Sequence, residues 1–368
     1  MKKVYIHNPH LSKFGKTLDS VQSLSVKTGI KTLEGFDKQT DLFVFASFSP
    51  EVYTKEFHLA AKIASDLHIK DATCLRVETA SSSGAAGVTI AYNLLRSGAF
   101  KNALIIGTEV MSRLNREENN VLLGSVLSPS QQAFAMSMAQ GAALLCNRYL
   151  SDYGYTKDDL YFIAEKLHSN GFENEFAHIR KKISFSDYQN APQFATPLGL
   201  YDISPLSDGS ASLMLSTEIE SEFIIKGVGS GTSNFYSTPS TPSFTASKQA
   251  FQKAYSQAGI KPSQIEIAEL HDAFTLFEVI GAEDAQIFPT GKGLKFVRDG
   301  ITHLDGKVII NGSGGLKTRG HPIGASGVAQ IVEITKLMKS KQKKIGLTHS
   351  IGGLATNNFV CILEYIPK

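Results

Sequence analysis

Four short stretches of this chain carry residue types that could do chemistry. The first is Asn311-Gly-Ser-Gly-Gly-Leu-Lys-Thr-Arg-Gly-His-Pro-Ile-Gly-Ala-Ser-Gly327, with six glycines in seventeen residues. Glycine at that density suits a backbone that turns tightly and approaches a ligand or a second segment closely. His321 sits within it, just before a proline able to open a helix at its first turn. An imidazole held there by stiff backbone is better placed for acid–base work than an ordinary surface histidine. The second stretch is Glu269-Leu-His-Asp-Ala-Phe-Thr-Leu-Phe-Glu278, where His271 follows a short apolar strand. A histidine at a strand end can donate a hydrogen bond to a developing oxyanion; the competing reading is a packed histidine. The third, Val77-Glu-Thr-Ala-Ser-Ser-Ser-Gly-Ala-Ala-Gly87, is a small-residue turn entering a helix. Ser81 in that turn needs a neighbouring base to act as a nucleophile, and is otherwise a helix cap. The fourth is Leu347-Thr-His-Ser-Ile-Gly-Gly-Leu354, a strand that runs into paired glycines.

The elements that must position these residues form two similar runs. Val4–Ile6, Asp41–Ser47, Cys74–Glu78 and Ala103–Gly107 read as strands, with helical spacing over Glu56–Leu67 and Val88–Ser97. Strand, small-residue turn, helix and strand in that order make a βαβ unit. Between about 111 and 198 the pattern loosens into helical pieces (Gln131–Tyr153, Thr156–Asn170) and a basic-aromatic stretch containing Arg180-Lys-Lys182. A long excursion of this kind suits a lid or binding segment. Ser207–Ser216 returns to a strand. The second run has strands at Phe223–Gly229, Ile265–Leu270, Val308–Ile310, Lys344–Thr348 and Asn358–Leu363, and helices at Phe244–Gly259 and from the glycine loop to Lys339. The turns at Ser81 and Gly324 occupy equivalent places in the two runs. An internal duplication would bring two helix N-termini to one interface, where ligand sites tend to form.

Composition narrows the class. A chain of 368 residues with 42% hydrophobic and 19% charged content reads as a globular α/β enzyme. A net charge of +3 gives no reason to expect nucleic acid or an anionic membrane as the main partner. Cys74, Cys146 and Cys361 lie far apart, with neither a CxxC pair nor a disulfide framework, and read as buried small hydrophobes. No signal-peptide core and no run of spanning length is present, so the expectation is a cytoplasmic protein.

The four stretches, taken in chain order, resemble the active-site loops of the thiolase superfamily, in particular its archaeal-type and sterol-carrier-protein-type members. Ala195–Ala211 and Lys166-Leu-His-Ser-Asn-Gly add further similarity, so the resemblance spans nearly the whole chain. It implies an α/β thiolase fold, internally duplicated as five layers α-β-α-β-α, with an inserted loop domain. The corresponding division is 1–110 with 199–222 for the N-terminal half, 111–198 for the loop domain and 223–368 for the C-terminal half. The implied activity is acyl transfer on acyl-CoA thioesters by Claisen-type carbon–carbon bond formation or cleavage, as in acetyl-CoA acetyltransferases of lipid metabolism. It uses coenzyme A thioester as substrate, without a cofactor or metal.

By the same resemblance Ser81 stands where thiolases carry their nucleophilic cysteine. His271 and His321 become oxyanion donors and acid–base groups, and Gly352 joins Ser81 as a backbone donor to a second oxyanion hole. Ser350 aligns with the second cysteine of degradative and biosynthetic thiolases; Ser350, Gly315, Lys166 and His168 are expected to meet substrate. Arg180-Lys-Lys182 could face the CoA phosphates or simply solvent. Ala273 replaces a cysteine of the sterol-carrier type. A homodimer or homotetramer, paired through the nucleophile-bearing strand, is implied, as is a zinc-bearing partner that completes the CoA pocket. Serine is a weaker acyl acceptor than a thiolate. Two other readings therefore stand beside the acyltransferase: a thiolase-like aldol or retro-aldol lyase that needs no acyl-enzyme, and a catalytically silent subunit of a complex.

Overall fold

A computed structural model describes residues 2–236 and 241–367. Ten strands form its main sheet: β1 Val4–Leu11, β2 Leu42–Ala46, β3 Thr73–Val77, β4 Asn102–Val110, β5 Asp208–Ser216, β6 Phe223–Thr232, β7 Ile267–Glu269, β8 Ile309–Ile310, β9 Ile345–Gly352 and β10 Asn357–Tyr365. The helices that matter for the site are α1 Val21–Leu33, α2 Leu59–Asp66, α3 Ser83–Ser97, α4 Met138–Tyr153, α5 Tyr161–Glu173, α6 Thr245–Ala258, α7 Thr275–Asp284, the five-residue α8 Gly315–Arg319 and α9 Ile323–Ser340.

The sheet runs β8-β7-β9-β10-β6-β1-β5-β4-β2-β3. Cut between β6 and β1, it yields two five-stranded halves of one topology. In each half the third strand pairs parallel with the second and the second parallel with the fourth. The fourth then pairs antiparallel with the fifth and the fifth antiparallel with the first. The expected duplication is therefore present strand by strand, although the halves share little sequence. Strands β1 and β6 join the halves in an antiparallel pair, with Tyr5 opposite Ile224.

Helices α3 and α9 lie in the middle, in one core with residues of both half-sheets. Helices α1 and α2 cover the outer face of the first half-sheet and α6 and α7 that of the second, giving the five layers. Strands covered on both faces need no polar alternation, and every residue of β4 and β5 is buried. The middle layer exists because both helices begin with the same kind of segment, Gly84-Ala-Ala-Gly87 and Gly324-Ala-Ser-Gly327. A Cβ on Gly84 would lie 2.9 Å from the Gly324 carbonyl oxygen and 2.9 Å from the Val328 nitrogen. One on Gly327 or Gly107 would strike the Ala85 or Gly324 backbone. The helices cross backbone against backbone, and only hydrogen fits between them.

Several elements differ from the sequence reading. Helix α1 carries no strong apolar stripe and went unread. Helix α7 begins at Thr275, inside what reads as a loop. The helix expected over Gln131–Tyr153 is broken: Pro129–Ala133 ends near Ala135, whose φ is +50°, and α4 restarts behind a Ser137–Gln140 capping box. Cys74, on the edge strand β3, is half-buried rather than buried, while Cys146 and Cys361 are buried. Burial raises the pKa of all three thiols, so none is held as a thiolate. Among the described residues no helix is long and apolar enough to cross a membrane.

Candidate active site

Three consecutive serines, Ser81 to Ser83, lead from the turn into the first residue of α3, and local hydrogen bonding separates them. Ser82 Oγ donates to the Thr79 carbonyl at 2.8 Å and Ser83 Oγ to the Ala80 carbonyl at 2.6 Å. Both side chains are buried. Ser81 is half-exposed, and no hydrogen bond to its hydroxyl occurs among the described residues. Ser82, not Ser81, holds the N-cap position of α3, and it makes no side-chain capping bond. The residue before the serines, Ala80, is held at φ +51°, a conformation an L-residue rarely adopts and one typical of functional turns. The end of β9 closes on this turn: a Cβ on Gly352 would lie 2.6 Å from Ser82 Oγ and collide with the Thr79 carbonyl. The Val77–Gly87 and Leu347–Leu354 loops thus meet at Gly352.

The Glu269–Glu278 and Asn311–Gly327 loops meet at their histidines. The rings of His271 and His321 stand edge to face, with centroids 5.2 Å apart. They are 3% and 8% exposed, so only their rims face outward. Burial, assisted by Arg319, lowers the pKa of His321 to about 3. Burial, with the neighbouring His321, His349 and Arg319, pushes His271 well below the ordinary histidine value. Both rings are neutral near pH 7. His321 Nδ1 lies 2.7 Å from Ser326 Oγ, whose single proton goes to the Pro322 carbonyl at 2.9 Å. Ser326 can then only accept from the ring. His321 therefore carries its proton on Nδ1 and keeps the Nε2 lone pair as a base.

Buried carboxylates fasten these loops, and sequence reasoning passed over all of them. Glu109, at the end of β4, accepts from Ser47 Oγ, the Phe48 and Ser49 amides, and the Gly324 amide at 3.1 Å. It ties the first half to the start of α9, beside His321, and burial raises its pKa to about 7. Asp272, next to His271, accepts from the Leu316 amide at 2.7 Å and the Lys317 amide at 3.2 Å. Any Cβ on Gly315, whose φ is +61°, would collide with that carboxylate. Glu269 accepts from Ser313 through both its amide and its hydroxyl, at 3.0 and 2.6 Å. The Gln330 side-chain amide donates to the Glu269 and His349 carbonyls, and its oxygen accepts from Ser350 Oγ at 2.7 Å. The only early signal for this clamp was the density of acidic residues in segments that otherwise read as apolar.

The expected substrate contacts divide. Gly315 lies in the Asn311–Gly327 loop, where its lack of a side chain admits Asp272. Ser350 is 1% exposed and its hydroxyl is engaged by Gln330. Lys166 and His168, expected to face substrate, are buried on α5. The Lys166 ammonium is held by Glu278 and by the Ile310 carbonyl at 3.0 Å. His168 Nδ1 donates to the Lys181 carbonyl at 2.7 Å. Their polar atoms face the interior because α5 packs its apolar face on α7 and leaves the ammonium no path to solvent. Arg180, Lys181 and Lys182 remain exposed. Two shallow surface depressions, one lined by Asn93, Arg96 and Gln257 and one by Ser20, Lys27 and Asp66, include no residue of the four loops.

A duplicated five-layer fold, with two neutral imidazoles beside the meeting point of two middle-helix N-termini, defines an enzyme-like site built from both halves of one chain. Residues 44–219 match the thiolase N-terminal domain, and residues 227–365 the thiolase C-terminal domain-like family. The chain is 30% identical to the acetyl-CoA acetyltransferase of Methanocaldococcus jannaschii over 98% of both sequences. This protein belongs to the thiolase family. Its fold also matches the Ltp2-ChsH2(DUF35) aldolase, with a TM-score of 0.84 at 19% identity over 100% of this chain and 99% of that one. Human mitochondrial 3-ketoacyl-CoA thiolase gives a TM-score of 0.79 at 14% identity, again over 100% and 99% of the two chains.

Proposed function

We propose that this chain is an acyltransferase acting on acyl-CoA thioesters by thiolase-type Claisen chemistry, with Ser81 in the nucleophile position. The observation that carries the reading is the edge-to-face pair of neutral imidazoles, with a lone pair free on His321 Nε2, in loops clamped to the helix that follows the Ser81 turn. In the first step Ser81 Oγ attacks the thioester carbonyl and its proton passes to His321 Nε2. The tetrahedral oxygen is stabilised by the Ser81 and Gly352 amides. The carbon–sulfur bond breaks, and the departing thiolate takes the proton from His321, leaving an acyl ester on Ser81. In the second step the α-carbon of another acyl-CoA loses a proton to His321 Nε2 and attacks that ester. Its enolate oxygen accepts hydrogen bonds from His271 and from the newly protonated His321. The carbon–carbon bond forms and Ser81 leaves with a proton. The substrate in both steps is the CoA thioester, and neither step calls on a metal or organic cofactor.

A second reading, an aldol or retro-aldol lyase, is favoured by the serine itself and by the fold match to an aldolase. It keeps the enolate site of His271 and His321 and dispenses with the ester. Strand β3, which leads into the Ser81 turn, lies at the open edge of the sheet, which supports assembly as a homodimer or a dimer of dimers through that edge. The DUF35 component named with the aldolase supports a role for a partner protein, and a zinc-bearing subunit fits that place.

The test is intact-protein mass after incubation with acetyl-CoA and acetoacetyl-CoA, with peptide mapping. Acyl on residues 79–87 supports the acyltransferase. Thioester binding with no adduct turns the assignment to the lyase, and neither binding nor adduct leaves a silent subunit. His321→Ala should abolish CoA-dependent chemistry in a folded protein; retained turnover removes His321 from the mechanism.

A further inference from the structure

Arg319 ends α8, two residues before His321, and its side chain is 0% exposed. All three guanidinium nitrogens are buried without a hydrogen-bond partner among the described residues. The one contact that marks its surroundings is the Phe14 ring, 5.8 Å from the guanidinium carbon. A buried, unpaired guanidinium is among the least favourable groups a protein can hold, so something satisfies it. Glu269 and Asp272 are the carboxylates that feel its charge, and they flank His271 in sequence. Both already accept from loop donors, and neither forms an ion pair with Arg319. His271 Nδ1, whose ring feels the Arg319 charge, is buried and unpartnered as well, as is His349 Nδ1. A guanidinium that only donates and an imidazole nitrogen without a partner, with carboxylates that feel the same charge, are groups that an internal water would join.

The direction of hydrogen bonding then follows from chemistry. A guanidinium only donates. Water that accepts from Arg319 must turn its own hydrogens to the acceptors opposite, the Glu269 or Asp272 carboxylate and His271 Nδ1. With Nδ1 accepting, the neutral ring carries its proton on Nε2. His321, held by Ser326, is in the opposite tautomer. We propose that Arg319 is a positioning residue of this site: through ordered water it holds His271 as the Nε2–H tautomer, so that His271 donates to the substrate oxygen while His321 accepts a proton. The pair is thereby divided into one donor and one base by two different second contacts. This inference rests on the thioester chemistry proposed above for its consequence, but the tautomer and the water are measurable without turnover.

The experiment is 15N spectroscopy of histidine-labelled protein, with His271 assigned by its Gln variant, alongside a high-resolution crystal structure of the wild type. The expected result is Nε2–H at His271, Nδ1–H at His321, and water bridging Arg319 to His271 Nδ1. In Arg319→Met the His271 tautomer should become mixed, and kcat should fall about tenfold to a hundredfold with KM little changed, part of the loss seen when an oxyanion donor is removed outright. Arg319→Lys, which also only donates, should keep the tautomer. Nδ1–H at His271 in the wild type, a direct Arg319–carboxylate pair with no water, or an unchanged tautomer in Arg319→Met would overturn the proposal. If Arg319→Met does not fold, the wild-type tautomer and the crystallographic water decide alone. Absence of any turnover in the wild type would sink the acyltransferase reading and leave the tautomer result standing.

Discussion

At the scale of single residues, the site is set by what surrounds each group more than by its identity. Ser81 differs from Ser82 and Ser83 in being half-exposed and in having no backbone acceptor, which leaves its hydroxyl available. Ser81→Cys should create a thiol at a helix N-terminus, titrating about one or more pH units below the free value of ~8.5. Alkylation rates against pH would show it, and acyl transfer should rise about tenfold or more as the better nucleophile takes over. A thiol with an ordinary pKa and no gain in transfer would remove position 81 from the chemistry. The histidines give a pH prediction. Burial lowers the pKa of His321 to about 3, so its base form persists throughout the neutral range, and kcat/KM should show no acid limb from His321 at the ordinary histidine value. The linkage has a definite sign. Between about 3 and 6.5 the unfolded state binds a proton that the native ring refuses, so this group's contribution to stability is lost as pH falls across that window. His321→Asn should therefore lose less melting temperature than the wild type on going from about pH 6.5 to about pH 4, read by calorimetry.

Among the elements, the decisive contact is the crossing of α3 and α9. Gly84, Gly107 and Gly327 each admit a neighbour's backbone where a methyl group would collide. Because that crossing also sets the spacing of the two helix N-termini, overpacking it should damage both stability and the site. Gly327→Ala should cost ~1–3 kcal/mol in urea unfolding and depress activity more than its stability loss accounts for; a neutral effect would mean that the helices can slide apart freely. Glu109 belongs at this scale as well, since its four donors come from the loop after β2 and from α9. It is the polar counterpart of the glycine crossing, and it holds the two halves together beside His321.

For the molecule as a whole, the excursion between β4 and β5 is tied to the C-terminal half by a buried polar chain. Lys166 on α5 pairs with Glu278 on α7, and Glu278 accepts from Asn311 Nδ2 at 2.9 Å. Asn311 Oδ1 in turn accepts from the Leu270 amide at 2.6 Å, one residue from His271. Removing one partner leaves a buried charge uncompensated. Lys166→Met should therefore cost ~3–5 kcal/mol, and the double replacement Lys166→Met with Glu278→Leu should recover much of it. Chemical denaturation of the two variants would show the difference. Equal losses in both would assign Lys166 to something other than this pair, including the substrate contact expected from its sequence.

Much of this was legible in the sequence, and the rest was not, for physical reasons. Strands such as Leu42–Ala46 and Asn102–Val110 announce themselves because burial on both faces demands an unbroken apolar run. The glycine loop and the small-residue turn announce themselves because only small residues permit that backbone. His271, His321 and Ser81 could be singled out for the same reason, as chemical groups set in loops of unusual composition. Helix α1 was not legible, since it turns several polar residues inward and carries no clean stripe. Lys166, His168 and Ser350 were expected to meet substrate, and their Nζ, Nδ1 and Oγ atoms bond to partners inside the protein, because a side chain's direction depends on what packs over it. Glu109, Asp272, Gln330 and Arg319 are polar residues that nothing local marks as buried, and it is the closing of the two halves that covers them. Local sequence determined which backbone each loop could adopt and which groups it carried. Only the tertiary structure decided which of those groups are desolvated, which are already hydrogen-bonded and which are left free to react, because those properties are set by atoms far away along the chain.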